Sequence, residues 1–232
     1  MNVNEFFLNS ATAGVVISLI GYFVGMEIKR KWKCAVFNPL LIAVALVIGF
    51  LLLFRIDYTA YNMSAKYLSY LLTPATVSLA VPLYQKMELL KKHAGAIFVG
   101  VFSGVLTSMI SVLALAYVFR LSHEAYVTLL PKSITTAIGM GVSEELGGYV
   151  VITTAAIIIT GVFGNMTAEC FCRLFRIKNK ISKGLAIGTA SHAIGTTKAM
   201  EMGEVEGAMS SLAIVVSGLC TVAVVSVFAA LL

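Results

Sequence analysis

Two stretches, Pro131–Gly148 (PKSITTAIGMGVSEELGG) and Gly188–Gly207 (GTASHAIGTTKAMEMGEVEG), are too small, polar and glycine-rich for an ordinary lipid-facing helix. Each runs directly into an apolar segment of roughly membrane-spanning length. Non-helical backbone survives at membrane depth only where protein or a water-filled cavity satisfies its N–H and C=O groups. Both stretches are therefore expected to be broken or re-entrant segments lining a polar site, with the rest of the chain as their scaffold.

Of the 232 residues, 59% are hydrophobic and 12% charged, about half the charged share that a soluble domain carries. The fold class predicted is an all-α polytopic membrane protein with roughly six to eight hydrophobic segments. It reads as one integral membrane domain, 1–232. Within it, 1–66 supplies scaffold and oligomerisation spans and 67–232 a repeat-containing transport core. The spans expected are Ala11–Ile28, Leu40–Phe54, Tyr67–Tyr84, Gly95–Phe119, Tyr149–Ala168 and Ala208–Leu232. Pro74 and Pro82 interrupt the third, because proline removes an N–H and breaks a helix. Arg55–Lys66 reads as a polar connection lying at the interface.

The net charge of +6 sits in short clusters between apolar runs, so it sets topology and does not signal nucleic-acid binding. Lys29, Arg30, Lys31 and Lys33, with Trp32 among them, mark the inside, as do Lys86, Lys91 and Lys92, and the cluster Arg173, Arg176, Lys178, Lys180 and Lys183. The N-terminus is then outside, in a multi-pass protein of the plasma membrane. On this count Pro131–Gly148 must enter and leave on one side, and Gly188–Gly207 must enter from the other. No cleavable leader is evident. The four cysteines, Cys34, Cys170, Cys172 and Cys220, are scattered and show neither a metal spacing nor a disulfide framework.

The chain also resembles itself. Pro74–Met109 aligns without gaps on Pro131–Met166, and Thr153–Gly161 on Ser210–Gly218, at the same offset. Ala137-Ile138-Gly139 falls on Ala193-Ile194-Gly195, and Glu145 on Glu201. If the unit is one broken segment plus one span, successive copies have opposite orientation, the inverted repeat of many secondary transporters.

Polar side chains cluster at the two breaks. Ser133, Thr135 and Thr136 lie in the first stretch with Gly139; Ser191, His192, Thr196 and Thr197 lie in the second with Gly195. Any one hydroxyl can simply back-bond to its own helix, but seven polar side chains at two glycine-rich breaks suggest a binding site. His192 is the one histidine in an expected buried segment and a candidate ligand contact or proton relay. Lys132 and Lys198 sit near the breaks, where an ammonium must snorkel, pair or meet an anion. Glu144, Glu145 and Glu201 are candidates for pairing or for ion or proton coupling. Glu204 and Glu206 are expected at the mouth, in water. A broken helix exposes free N–H groups and the positive end of its dipole, which suits a small carboxylate. No hydrolase triad, P-loop, dinucleotide fingerprint or zinc spacing appears, so no enzyme, cofactor or metal is expected.

PKSITTAIGMGVSEELGG, ITGVFG and RLFRIKNKISKGLAIGTASHAIGTTKAMEMGEVEGAMSSLA resemble the LrgB/CidB family, closely over Pro131–Leu232 and more loosely before it. The family's usual strings are near PKS-x-T-x-P-I-A and G-x-A-S-H-G-I-G-T-A-R-A. Ala137, Gly139, Ala193, Thr197 and Lys198 stand at variable or departing places, and lysine at 198 forgoes the bidentate carboxylate geometry of arginine. The resemblance implies two functions. One is antiholin-like regulation of murein hydrolases and autolysis, with a small membrane partner of the LrgA/CidA kind. The other, from similarity to the plastidial glycolate/glycerate translocator, is transport of small monocarboxylates such as glycolate, glycerate or pyruvate. The polar breaks and the repeat favour transport, because a holin needs only an oligomerising hydrophobic helix pair. A homodimer or larger homo-oligomer in the lipid bilayer is expected.

Overall fold

The computed structural model describes residues 3–32, 37–78 and 80–232, and among them every regular element is helical. Lys33 and Cys34, singled out in the sequence, lie outside the described residues. The chain forms two compact units, Met1–Ser78 and Leu79–Leu232, whose border falls in the interrupted segment Tyr67–Tyr84.

In the first unit, α1 (Val3–Asn9) and α2 (Ala13–Trp32) meet at a 101° bend. The polar start of the chain is thus helical, and Phe7 is buried with Ile56 and Ala60. Asn38 caps α3 (Pro39–Leu53) by accepting from the N–H groups of Leu40 and Leu41. The expected interfacial connection contains α4 (Tyr58–Ala65), followed by a 3-10 turn (Lys66–Leu71) and α5 (Leu72–Ser78). The glycines of α2 are spent inside this unit. Gly14 packs on Ser64 and Ala65, Gly21 on Ala43 and Gly25 on Pro39.

The second unit opens with α6 (Ala80–Gln85) and α7 (Met87–Phe119), which is kinked at His93 and closed by Arg120 in the left-handed region. Pro74 and Pro82 each stand in the first turn of a short helix, α5 and α6, where the missing N–H costs nothing. Then come α8 (His123–Leu129), α9 (Thr136–Glu145), α10 (Val150–Leu174), α11 (Lys180–Met202) and α12 (Glu204–Ala229). Among the described residues, the helices long and apolar enough to cross a membrane are α7, α10 and α12, with α1 plus α2 as a bent fourth. That is fewer than the six to eight segments expected, because α3, α5 and α6 are short and the two polar stretches fold as broken pairs.

The first pair is α8 and α9. The turn between them holds Pro131 beside Gly139, while Thr128 lies by Ser143 and Gly148, an antiparallel register. The second pair lies within α11, which breaks at His192 (φ 42°, ψ −141°). Gly195 in its second arm folds back on Ser191 and Ile187 in its first. Each pair is followed by a glycine turn, at Gly147 (φ 79°) or Gly203 (φ 159°), and then by a long helix.

Contacts fix the directions. Gly100 and Gly104 of α7 face Leu185 and Thr189, so α7 and the first arm of α11 run in parallel. The second arm runs against α12, with Met200 on Gly207 and Thr196 bonded to Ser210. It runs with α10, since Gly161 faces Ile194 and Lys198 reaches Glu169. Therefore α10 and α12 run in opposite directions. The core joins α7, α8 and α12, with Val101, Val105, Met109, Val112 and Ala116 at helical spacing along α7.

Close approach depends on missing side chains. A Cβ at Gly188 would enter the Ser210 carbonyl oxygen and the Ala213 methyl, whereas one at Gly95 meets nothing. Gly188→Ala is expected to cost about 1–3 kcal/mol and to lower the melting temperature in detergent. Gly95→Ala is expected to leave it unchanged or raise it by the gain in helix propensity, up to about 1 kcal/mol.

Candidate functional site

The two tips reach the same level of α7. Lys132 Nζ lies 3.3 Å from Ser108 Oγ, and Ser133 Oγ lies 3.3 Å from the same atom. Thr189, three residues before His192, packs on Gly104, one helical turn away on α7. Since α8 leads in from the C-terminal end of α7 and the first arm of α11 from its N-terminal end, the tips approach from opposite ends. Both line one cavity of about 850 Å³, walled by α7 and α10. Its polar lining includes Lys132, Ser133, Ser108, Thr160, Thr189 and Ser191.

Lys132 is the one lysine or arginine in that lining, and no carboxylate is among the lining residues. Its ammonium donates to Ser108 and, at 3.1 Å, to Ser133. Ser133 is buried at the turn, and Ser191 seats against Gly164 of α10. A half-buried cation held by hydroxyls, facing a cavity without acidic groups, is chemically prepared for an anion.

The other expected site residues lie elsewhere. Thr135 sits at the N-terminus of α9 and its side chain makes no capping bond; Thr136 follows it, and neither lines the cavity. Gly139 packs on Ile157 and Pro131, and Gly195 on Ser191 and Ile187. Thr196 is buried and donates to His192 O, with Ser210 Oγ at 2.7 Å. Thr197 is exposed and bonded to Ile194 O, and it accepts from Asn165. Lys198 pairs with Glu169 at 2.9 Å and Glu201 at 3.1 Å, which ties the second arm of α11 to α10. Glu144 and Glu145 are exposed at the far end of α9. Among the described residues no three His, Cys, Asp or Glu side chains gather as a metal site.

Glu204 meets the expectation, while Glu206 and the histidine differ from it. Glu204 is exposed and pairs with Lys86 at 3.0 Å. Glu206, expected in water, is 3% exposed, and one of its oxygens has no partner. It stands in the first turn of α12 and folds back over Gly203, where a side chain would collide with it. With Glu201 and the basic residues after α10 it lines a second cavity of about 730 Å³. His192 is outside the lining of the first cavity. Its ring is 2% exposed, against Gly161, and Nε2–H donates to Ile157 O at 2.9 Å. A carbonyl only accepts, so Nε2 carries the proton. This bond pins a residue whose backbone conformation costs about 1–3 kcal/mol.

Sequence reasoning missed Ser108, Thr160 and Thr189 as lining residues. The signal was the row Gly100, Ser103, Gly104, Thr107, Ser108 and Ser111, small residues at helical spacing on an otherwise apolar helix.

His192→Ala is expected to lower stability by about 2 kcal/mol, from the lost buried bond and the retained strain. His192→Gly is expected to melt above His192→Ala, because glycine accepts positive φ. In a regular helix the order reverses by about 1 kcal/mol, so melting curves of the two variants test the pinned break.

Comparison with known proteins agrees with the resemblance of the polar strings. The LrgB-like family model matches residues 18–231. The chain is 39% identical over 216 residues to the antiholin-like protein LrgB of Bacillus cereus (strain B4264), covering 93% of this chain and 94% of that protein. The antiholin-like protein LrgB of Bacillus anthracis (strain A0248) matches to the same extent. No solved structure matches. With its helical hairpins, its candidate membrane-crossing helices and a family match over nearly its whole length, the chain belongs to the LrgB-like family of membrane proteins.

Proposed function

We propose that this membrane protein is a secondary transporter that moves small monocarboxylates of the glycolate, glycerate or pyruvate type across the plasma membrane, and is not an enzyme. The observation that carries the reading is Lys132, an ammonium at a hairpin tip with hydroxyl partners and no carboxylate in the cavity it faces. One cation suits one carboxylate, and the free N–H groups at the two breaks suit its oxygens.

The two hairpins are re-entrant from opposite faces, and with α10 and α12 they form an inverted repeat. The opposite directions of α10 and α12 support this. The first copy suggested by the sequence, from Pro74, includes residue 79, which lies outside the described residues. Counting the bent pair, α3 and both hairpins with the three long helices brings the segments into the range of six to eight. The basic ends of α2 and α10 favour an outside N-terminus. Rocking of one copy against the other would expose the cavity to each side in turn. A homodimer or larger homo-oligomer holds the scaffold, so a monomer mass in lipid nanodiscs would count against that part of the reading.

A second reading has its own support. The relatives named above are called antiholin-like, and those names favour the antiholin reading over a transporter; on that reading the chain regulates murein hydrolase activity with a small LrgA/CidA-type partner. The two readings do not exclude each other.

Uptake of labelled monocarboxylates into proteoliposomes separates them. Saturable uptake without release of a trapped dye is expected. Lys132→Met and Ser133→Ala are expected to lower uptake about tenfold or more, the cost of a lost charge-assisted hydrogen bond. Glu204→Gln, at the exposed end of α12, is expected to stay within about twofold, the scale of a surface ion pair. Dye release, or no uptake of any acid, would contradict transport.

A further inference from the structure

Many helical hydroxyls of this protein share a habit that Thr189 does not follow. Ser103, Thr107, Ser111, Thr154 and Thr167 each donate to a backbone carbonyl three or four residues earlier, the usual resort of a hydroxyl in an apolar helix. Thr189 lies in the first arm of α11, where the same bond is open to it. It is 8% exposed, yet Oγ1 has no protein partner. Thr189 lines the large cavity, and its methyl group packs over Gly104, where α7 has no side chain. Such a buried donor without a partner is disfavoured unless something else satisfies it.

The position of Thr189 narrows what that is. Lys132 Nζ and Ser133 Oγ gather at Ser108, and Thr189 stands at Gly104. Ser108 and Gly104 are about one helical turn apart, roughly 5–6 Å. Thr189 is thus within reach of the carbon next to a carboxylate held by Lys132 and Ser133. Acetate has only hydrogens on that carbon. A 2-hydroxy or 2-oxo acid has an oxygen there. Threonine in a helix has two accessible χ1 rotamers, so its hydroxyl can turn into the cavity when a partner arrives.

We infer that Thr189 is the specificity-determining residue of this site: its hydroxyl hydrogen-bonds the second oxygen of a 2-hydroxy or 2-oxo monocarboxylate and so selects such acids over plain short-chain carboxylates. This rests on the transport reading above. Ser133 and Lys132 hold the shared carboxylate, and Thr189 reads the neighbouring substituent. A site built to bond an oxygen rejects the analogue that lacks it, because its own polar group is then left buried and unpaired.

The test uses the full chain in proteoliposomes, with labelled glycolate and labelled acetate at concentrations below saturation. The parent is expected to take up glycolate at least about tenfold faster than acetate. In T189V, which keeps shape and loses the hydroxyl, that ratio falls about tenfold; in T189S, which keeps the hydroxyl, it stays near the parent's. A T189V ratio equal to the parent's overturns the inference and leaves transport standing. Uptake of neither acid by the parent, with none of labelled glycerate or pyruvate either, overturns the transport reading, and this inference with it. Should T189V fail to fold, the detergent-solubilised parent decides. A larger rise in melting temperature with glycolate than with acetate supports the inference, and equal rises overturn it.

Discussion

Backbone that is not helical needs partners for its N–H and C=O groups, and at membrane depth these come from the protein or from a water-filled cavity. Everything in the second unit follows from meeting that need twice. The first break is seated by hydroxyls: Thr153 donates to Thr128 O and lies 2.6 Å from Ser143 Oγ, and Tyr149 N–H donates to Thr128 Oγ1. The second is seated by glycines: Gly161 and Gly164 of α10 admit His192, Ile194 and Ser191, while Gly184 and Gly188 lay the first arm of α11 on α12. Seating both breaks between α7 and α10 leaves space that the tips do not fill, and that space is the cavity.

The chemistry of the cavity comes from this arrangement and from what it excludes. Ion pairs elsewhere in the second unit, Lys86 with Glu204 and Lys198 with Glu169 and Glu201, sit at the ends of long helices. They tie elements together where water is near. Lys132 alone is carried by a tip into a lining without carboxylates. The same fold thus separates Lys86 and Lys198, which carboxylates neutralise at helix ends, from Lys132, which hydroxyls hold in the cavity. Anion recognition is the use of Lys132 that these surroundings support, whether the consequence for the cell is transport or control of autolysis.

Much of this was legible in the sequence, for physical reasons that differ by residue. The breaks could be read because glycine and hydroxyl runs cannot face lipid. Lys132, Ser133 and Ser191 could be read because they stand at the turns themselves. Thr196 and Thr197 stand equally close in sequence, but helical geometry turns them toward their own helix or toward α12 and Asn165, and Thr135 stands at the start of α9 outside the cavity lining. His192 looked like a ligand because a buried histidine is rare. Its positive φ instead aims the ring at Ile157, which no spacing rule foretells. Ser108 and Thr189 were hidden because a hydroxyl on an apolar helix normally bonds its own backbone. Only the register of the hairpins against α7 reveals that they face a cavity. Glu206 was misplaced because the glycine before α12 gives its carboxylate room to turn inward.

The central claim is that the two hairpins enter from opposite faces and bring their tips together. It is tested most directly by labelling with a membrane-impermeant maleimide, in a chain whose four cysteines are replaced by alanine. Single cysteines at Ser122, where α8 begins, and at Ser182, where α11 begins, report the entry side of each hairpin. In sealed vesicles of one orientation, the account predicts that one of the two is labelled from outside and the other only after the membrane is opened. Labelling of both from the same side would contradict it.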